Sequence, residues 1–302
     1  MNIFNARVPN FLIIGAGKSG TTSLSNYLNQ HPEIFISTKA EPNFFVYEGK
    51  EDASGVITSW DDYLSTYSGS TPNQKLGEAS PMYLYSPEAP DCIKKHIPNV
   101  KLIAILRHPI DRLYSRHMQL VRLGQNPSND IEEAFDKKSI WWKRPDLISE
   151  GYYSTYLKRY YERFNADNIK IFLYEDYENN PQQMYSEICD FIDVNSSFSP
   201  DFKIRMNQSG QIKNPIFDQV IGENSKLKNF VKSKFPALFN KFRSTPIAVR
   251  KLNQLRRLNL DRRDIDSQLR NKLTEYIYKD EILALQDLIG RDLSTWLNKD
   301  NL

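Results

Sequence analysis

Hydrophobic residues in this chain gather in short apolar runs, separated by stretches in which they recur at helical spacing. Three runs stand out, Phe11–Ile14, Val100–Leu106 and Ile169–Tyr174, with weaker ones at Ile34–Ile36 and Lys75–Glu78. Continuous rather than alternating hydrophobicity predicts strands covered on both faces, as in a parallel sheet. Predicted helices lie between them at Thr21–Asn29, Pro87–His96, Pro109–Leu123, Tyr152–Phe164 and Pro181–Ile192. Pro87 and Pro109 sit in first turns, where a missing N–H costs nothing, and Ile110, Leu113, Tyr114, Met118 and Val121 lie near one stripe. Strands alternating with helices predict an α/β fold with a doubly wound parallel sheet. Beyond it, Asp264–Leu288 reads as helical, while Ser199–Arg263 is basic, irregular or helical, with no clear strand. The expectation is one domain over residues 1–302: an α/β core at 8–198, and a C-terminal helical, basic appendage. Within that appendage, 199–263 is a variable lid region and 264–302 packs back on the core.

Composition narrows the class. Hydrophobic residues are 40% and charged residues 25% of 302, the balance of an ordinary globule with material for a sizeable core. Only 12 Gly and 16 Pro exclude collagen-like and low-complexity chains. No window approaches the roughly 18 apolar residues of a membrane span, so no membrane partner is expected. The start, Met1 to Pro9, lacks the basic and apolar blocks of a signal peptide. Cys92 and Cys189 cannot build a disulfide scaffold, and neither has a partner at metal-ligand spacing, so a reducing cytoplasm is the expected compartment.

The net charge of +3 hides an asymmetry: residues 203–263 hold 15 Lys and Arg against Asp218, Glu223 and Asp261, a local balance of +12. That stretch is expected to face an anion, as a lid or rim over a nucleotide or acceptor, with a solvated helical face as the competing reading. Nucleic acid is not the expected partner. Phe217, Phe230, Phe235, Phe239 and Phe242 are spaced for a buried helix face rather than a stacking platform.

The most informative segment runs from Phe11 to Leu24. An apolar strand leads into Gly15-Ala16-Gly17-Lys18-Ser19-Gly20-Thr21-Thr22 and then a helix. Glycines let successive N–H groups turn inward, the helix N-terminus adds positive partial charge, and Lys18 adds an ammonium. This is a phosphate cradle. Its spacing fails the nucleoside-triphosphatase rule, because the first glycine would have to stand where Leu12 is. A second strand–turn–helix, Lys101 to Ser115, ends its strand in Arg107 and places Ser115 eight residues on, a guanidinium and a hydroxyl for another phosphate.

Lys18-Ser19-Gly20-Thr21-Thr22 resembles the 5′-phosphosulfate-binding loop of sulfotransferases that use 3′-phosphoadenosine 5′-phosphosulfate (PAPS), and Arg107 with Ser115 resembles their 3′-phosphate segment. Gly151-Tyr152-Tyr153, Ile171 to Tyr177 and Leu288 to Leu297 also look like the family, so the resemblance covers about residues 10–195 and 264–297. It implies a P-loop-like phosphosulfate-binding loop of Gly17, Lys18, Ser19, Gly20, Thr21 and Thr22, completed by Arg107 and Ser115. Gly210 and Lys213, in Asn207 to Lys213, are read as a loop closing over the nucleotide. PAPS is the implied co-substrate, with no metal required. Lys18 would stabilise the departing phosphate oxygen.

Glu41, in Lys39-Ala40-Glu41-Pro42-Asn43-Phe44-Phe45, resembles the catalytic base of glycan sulfotransferases of the heparan type. Pro42 predicts an extended backbone at Glu41, and the aromatics would dry its carboxyl and raise its pKa; a surface glutamate paired with Lys39 is the competing reading. In Gly77-Glu78-Ala79-Ser80-Pro81, Ala79 stands where those enzymes carry an active-site lysine, so that charge is either spared or supplied elsewhere, as from the basic stretch. His108 and His117 are read as bystanders. The expected acceptor is a small molecule or saccharide, with alcohols, amines of secondary metabolites and sugars all compatible. The rival enzyme class is a P-loop-type ATP-dependent small-molecule kinase, which predicts a Mg²⁺-holding aspartate where this chain has Arg107.

Overall fold

Five of the apolar runs are strands of one parallel sheet: β1 (Phe11–Gly15), β2 (Ile34–Ile36), β3 (Lys75–Ala79), β4 (Lys101–Leu106) and β5 (Ile169–Leu173), in the order β2-β3-β1-β4-β5. The computed structural model describes residues 7–50, 55–123, 125, 128, 130–203, 211–212, 260–261 and 265–297. Among these, the helices are α1 (Thr21–Leu28), α2 (Phe44–Tyr47), α3 (Trp60–Ser65), α4 (Met82–Tyr85), α5 (Ala89–His96), α6 (Pro109–Arg122), α7 (Ile140–Lys143), α8 (Tyr153–Tyr161), α9 (Tyr174–Asn179) and α10 (Pro181–Phe191). Then come α11 (Ser267–Leu273), a π-helical turn at Thr274–Tyr278, α12 (Lys279–Ile289) and α13 (Ser294–Leu297).

The unbroken hydrophobicity of the strands is explained by two cores. Leu12, Ile14, Leu102, Ala104 and Leu106 face one core, which α4, α5, α6, α8, α11 and α12 cover. Phe11, Ile13, Ile103 and Ile105 face the other, beneath α1 and α10. The chain after β1 therefore crosses one face and the chain after β4 the other. Their loops part at the C-terminal ends of adjacent strands, the crevice where open α/β sheets bind ligands.

Helix α6 starts where the sequence said it would. Pro109 occupies its first turn, and His108 caps it by accepting the Ile110 N–H at Nδ1, 3.2 Å away. That fixes Nε2 as the donor to the Trp296 carbonyl at 2.9 Å, so His108 ties the last helix to this turn. The C-terminal helices are also docked by Arg270 on Asp111 and by Glu281, which accepts from the Ser154 N–H and hydroxyl.

One expectation is corrected: within 199–263, Gln211–Ile212 pairs antiparallel with Leu260–Asp261, and the first of these lies against α6. Two-residue strands are too short to leave a hydrophobic pattern. Among the described residues no helix is long and apolar enough to cross a membrane.

The β1–β3 pair sets one sharp steric condition. Gly77 lies opposite Phe11, and a Cβ there would sit 2.1 Å from the Phe11 ring. Gly77→Ala is therefore expected to destabilise the fold by about 1–3 kcal/mol through overpacking. An unchanged midpoint in thermal unfolding would contradict this packing.

Candidate active site

The loop between β1 and α1 is bent by left-handed residues at Lys18 (φ +70°) and Gly20 (φ +94°). Such turns aim successive N–H groups into one concavity, a nest for an anion. Gly15 has no room for a side chain, since a Cβ would meet Leu84 at 2.7 Å. The Gly17 N–H donates to the Tyr85 hydroxyl at 3.0 Å, and Ala16 N–H to the Ile105 carbonyl at 2.8 Å, so the loop is strapped to α4 and β4. Ser19 and Thr21 are buried where α1 begins.

Arg107 leaves the tip of β4, next to this loop, and Ser115 is buried on α6 two turns further on. Tyr174, the first residue after β5, joins the two cradles. Its ring centroid is 4.7 Å from the Arg107 guanidinium carbon, and a Cβ on Gly20 would lie 3.5 Å from its edge. Tyr153 donates to the Arg107 carbonyl at 2.9 Å and holds the turn from behind. Gly17 to Thr22 and Arg107 thus meet at the C-terminal ends of β1 and β4, and Ser115 follows on the helix that Arg107 leads into. Gly210 and Lys213 lie outside the described residues.

Glu41 approaches Lys18 from the β3 side. In place of the extended backbone expected before Pro42, it has φ +47°. The reason is a hydrogen-bonded turn: Asn43 Nδ2 donates to the Glu41 carbonyl at 3.0 Å, and the Asn43 N–H donates to Ser80 Oγ at 3.0 Å. Ser80 in turn donates to Glu78, a fully buried carboxylate that also accepts from Tyr63 and Tyr83 at 2.7 and 2.8 Å. Burial pushes Glu78 up to about 6 against the pull of those three hydroxyls. The Glu41 turn is therefore anchored to the end of β3. Lys39, the competing partner, donates instead to the Gly55 carbonyl.

Charge couples these groups. The Lys18 ammonium is pushed down to about 8, first by burial and then by repulsion from Arg122, Arg116 and Arg107, while Glu41 pulls it back up. Desolvation raises Glu41, and Lys18 opposes that rise. Behind the loop, fully buried Arg112 bonds Glu150 at 2.7 Å, and burial pushes Glu150 up to about 7 despite that partner.

Tyr174, Arg116, Arg122, Tyr85 and Glu150 were not found by reading the sequence. A signal did exist for Arg122: seven residues after Ser115 is two helical turns, hence the same face. A second correction lies outside the crevice. Cys92 does have metal-type neighbours, His96 on the same helix and Glu48 at the end of α2.

A doubly wound parallel sheet with a glycine–lysine–threonine loop at its switch point defines the class of α/β proteins with a P-loop-like anion site. Within that class the chain belongs to the sulfotransferase domain family, whose model matches residues 8–235. It is similar to the membrane-associated sulfotransferase kil1 of Dictyostelium discoideum, 26% identical over an alignment of 318 positions, gaps included, that covers 76% of this chain and 66% of that protein. It is also 29% identical over 204 residues to the bifunctional heparan sulfate N-deacetylase/N-sulfotransferase 4 of Mus musculus, covering 64% of this chain and 23% of that one. The chain thus spans less than two thirds of these relatives. The solved sulfotransferase of Alicyclobacillus acidocaldarius superposes with a TM-score of 0.70 at 25% identity, over 97% of this chain and 100% of that one.

Proposed function

We propose that this chain is a PAPS-dependent sulfotransferase acting on a hydroxyl or amine of a small-molecule or carbohydrate acceptor. One observation carries the reading: two candidate anion cradles at the tips of adjacent parallel strands, bridged by Tyr174, with Glu41 and Arg107 both close enough to Lys18 to act on its charge. The residues fit the co-substrate. Burial and, after it, repulsion from Arg122, Arg116 and Arg107 lower the Lys18 pKa, and a bound polyanion would offset both.

In this reading Gly17, Lys18, Ser19, Gly20, Thr21 and Thr22 hold the 5′-phosphosulfate, and Arg107 and Ser115 hold the 3′-phosphate. Gly210 and Lys213 close over the nucleotide. PAPS, when bound, supplies an activated sulfuryl group. Lys18 neutralises the charge that grows on the leaving phosphate oxygen, the main task in a loose group transfer. Glu41 takes the proton of the acceptor as the new bond to sulfur forms. Partial desolvation suits it, because a base works best with its pKa near the operating pH. Arg122 of α6 supplies a cation to a site where Ala79 offers none, while its neighbour Arg116 is held by Asp146. No step calls on a metal ion. Free Cys92 and Cys189 suit a reducing cytoplasm, and residues 1–302 are read as one domain. The kinase alternative is not favoured, since β4 ends in Arg107 where an aspartate is needed.

Calorimetric titration with 3′-phosphoadenosine 5′-phosphate, without added metal, tests the nucleotide half; absence of binding would overturn it. Arg107→Ala removes a charged partner of a phosphate, about 1.5–3 kcal/mol, and is expected to weaken binding by roughly 10–100-fold. An acceptor screen with labelled PAPS tests the transfer itself.

A further inference from the structure

Away from the crevice, three side chains of different chemistry converge where the end of α2 meets α5. Cys92 and His96 are four residues apart on α5, so one helical turn carries both to the same face. Glu48 closes α2 beside them. Cys92 Sγ lies 2.8 Å from one Glu48 oxygen and His96 Nε2 lies 2.7 Å from the other. One donor atom from each of the three falls within 4.8 Å of the other two. Trp60 stacks on the imidazole at 4.3 Å with 23° between planes and sets its orientation.

Hydrogen bonds divide the carboxylate: His96 and Lys95 (3.2 Å) meet Oε1, and the Cys92 thiol, a weak donor, meets Oε2. The same sulfur, imidazole nitrogen and carboxylate oxygen are also the mixed donor set of a tetrahedral zinc-type cation. The cluster is partly open to solvent, with 15% of the His96 side chain and 29% of Glu48 exposed, which gives an entry path. Lys95 is 67% exposed, so its ammonium can turn away when a cation takes its place.

We propose that Glu48, Cys92 and His96 bind one divalent d-block cation of the zinc type, tying the end of α2 to α5. On binding, the Sγ proton leaves to solvent and the imidazole proton resides on Nδ1, freeing Nε2 to ligate; no oxidation change is involved. The site is separate from the Lys18 cradle, and its role is structural: it pins the short helix that follows the Glu41 turn. Its success or failure is independent of the proposed transfer reaction.

The full chain, stripped with a chelator and kept reduced, is titrated with Co²⁺ alone. The expected result is a near-ultraviolet thiolate-to-cobalt band together with visible bands of a four-coordinate ion, saturating near one equivalent and erased by Zn²⁺. Cys92→Ser should lose the thiolate band, while Cys189→Ser should keep it. Glu48→Gln and His96→Gln should each weaken Co²⁺ binding by more than the roughly 10–100-fold that losing an outer-shell partner costs. Zn²⁺ should raise the unfolding temperature of the parent chain and leave that of Cys92→Ser unmoved. A missing thiolate band, or one that survives in Cys92→Ser, would overturn the site, as would unchanged affinity in both Glu48→Gln and His96→Gln.

Discussion

Lys18→Ala is expected to lower turnover by on the order of 10³-fold, the upper range for removing one preorganised stabiliser of developing charge. The loss should fall on kcat more than on affinity for 3′-phosphoadenosine 5′-phosphate, because Arg107 and Ser115 would still hold the other phosphate. Rapid-quench measurement with labelled PAPS reads both, and a variant within tenfold of the parent would remove Lys18 from the chemistry. The same residue sets a pH limit. Its ammonium is pushed down to about 8, so the charged form disappears as pH rises through that value. In the free enzyme, kcat/KM should therefore fall on the alkaline side near pH 8. Lys18→Arg keeps its charge, so that limb should vanish even if the overall rate is lower.

Glu41→Gln should cost about 10²–10⁴-fold in kcat, the usual worth of a general base, while nucleotide affinity changes little. Desolvation raises the Glu41 pKa, and only the ionised carboxylate accepts a proton, so activity should fall as pH drops through that raised pKa. The acid limb should be absent in the glutamine variant. Full activity in Glu41→Gln would acquit the residue and move the search to another base. Because the Glu41 turn hangs on Ser80, Ser80→Ala offers a graded companion: kcat should drop without loss of the acid limb.

Much of this molecule was legible before folding. All five strands fall within a residue of their predicted runs, because burial on both faces favours short, largely apolar segments bounded by turn residues. Pro109 marked the start of α6 because proline's missing donor is harmless in a first turn. The Gly17–Thr22 loop was legible because its chemistry is local: backbone turns, one lysine and a helix start, all within a few residues. Glu41 was singled out by its neighbours in sequence, yet its backbone conformation was not legible there, since Ser80 lies 37 positions from Asn43, which closes the turn. Cys92 and His96 were adjacent on a helix in plain view, but their meaning depended on Glu48, brought in from 44 positions before Cys92.

The sequence by itself determined which segments form the sheet, where the chain turns with a concave backbone, and which residues are candidates for the proposed anion-binding and proton-accepting chemistry. These follow from short-range rules of sterics, hydrogen bonding and hydrophobic period. Only the tertiary structure decided that Tyr174 joins two cradles, that three arginines crowd Lys18, and that Glu48 meets Cys92 and His96. Proximity between distant residues is set by how helices pack across two faces of a sheet, and no local pattern along the chain encodes it.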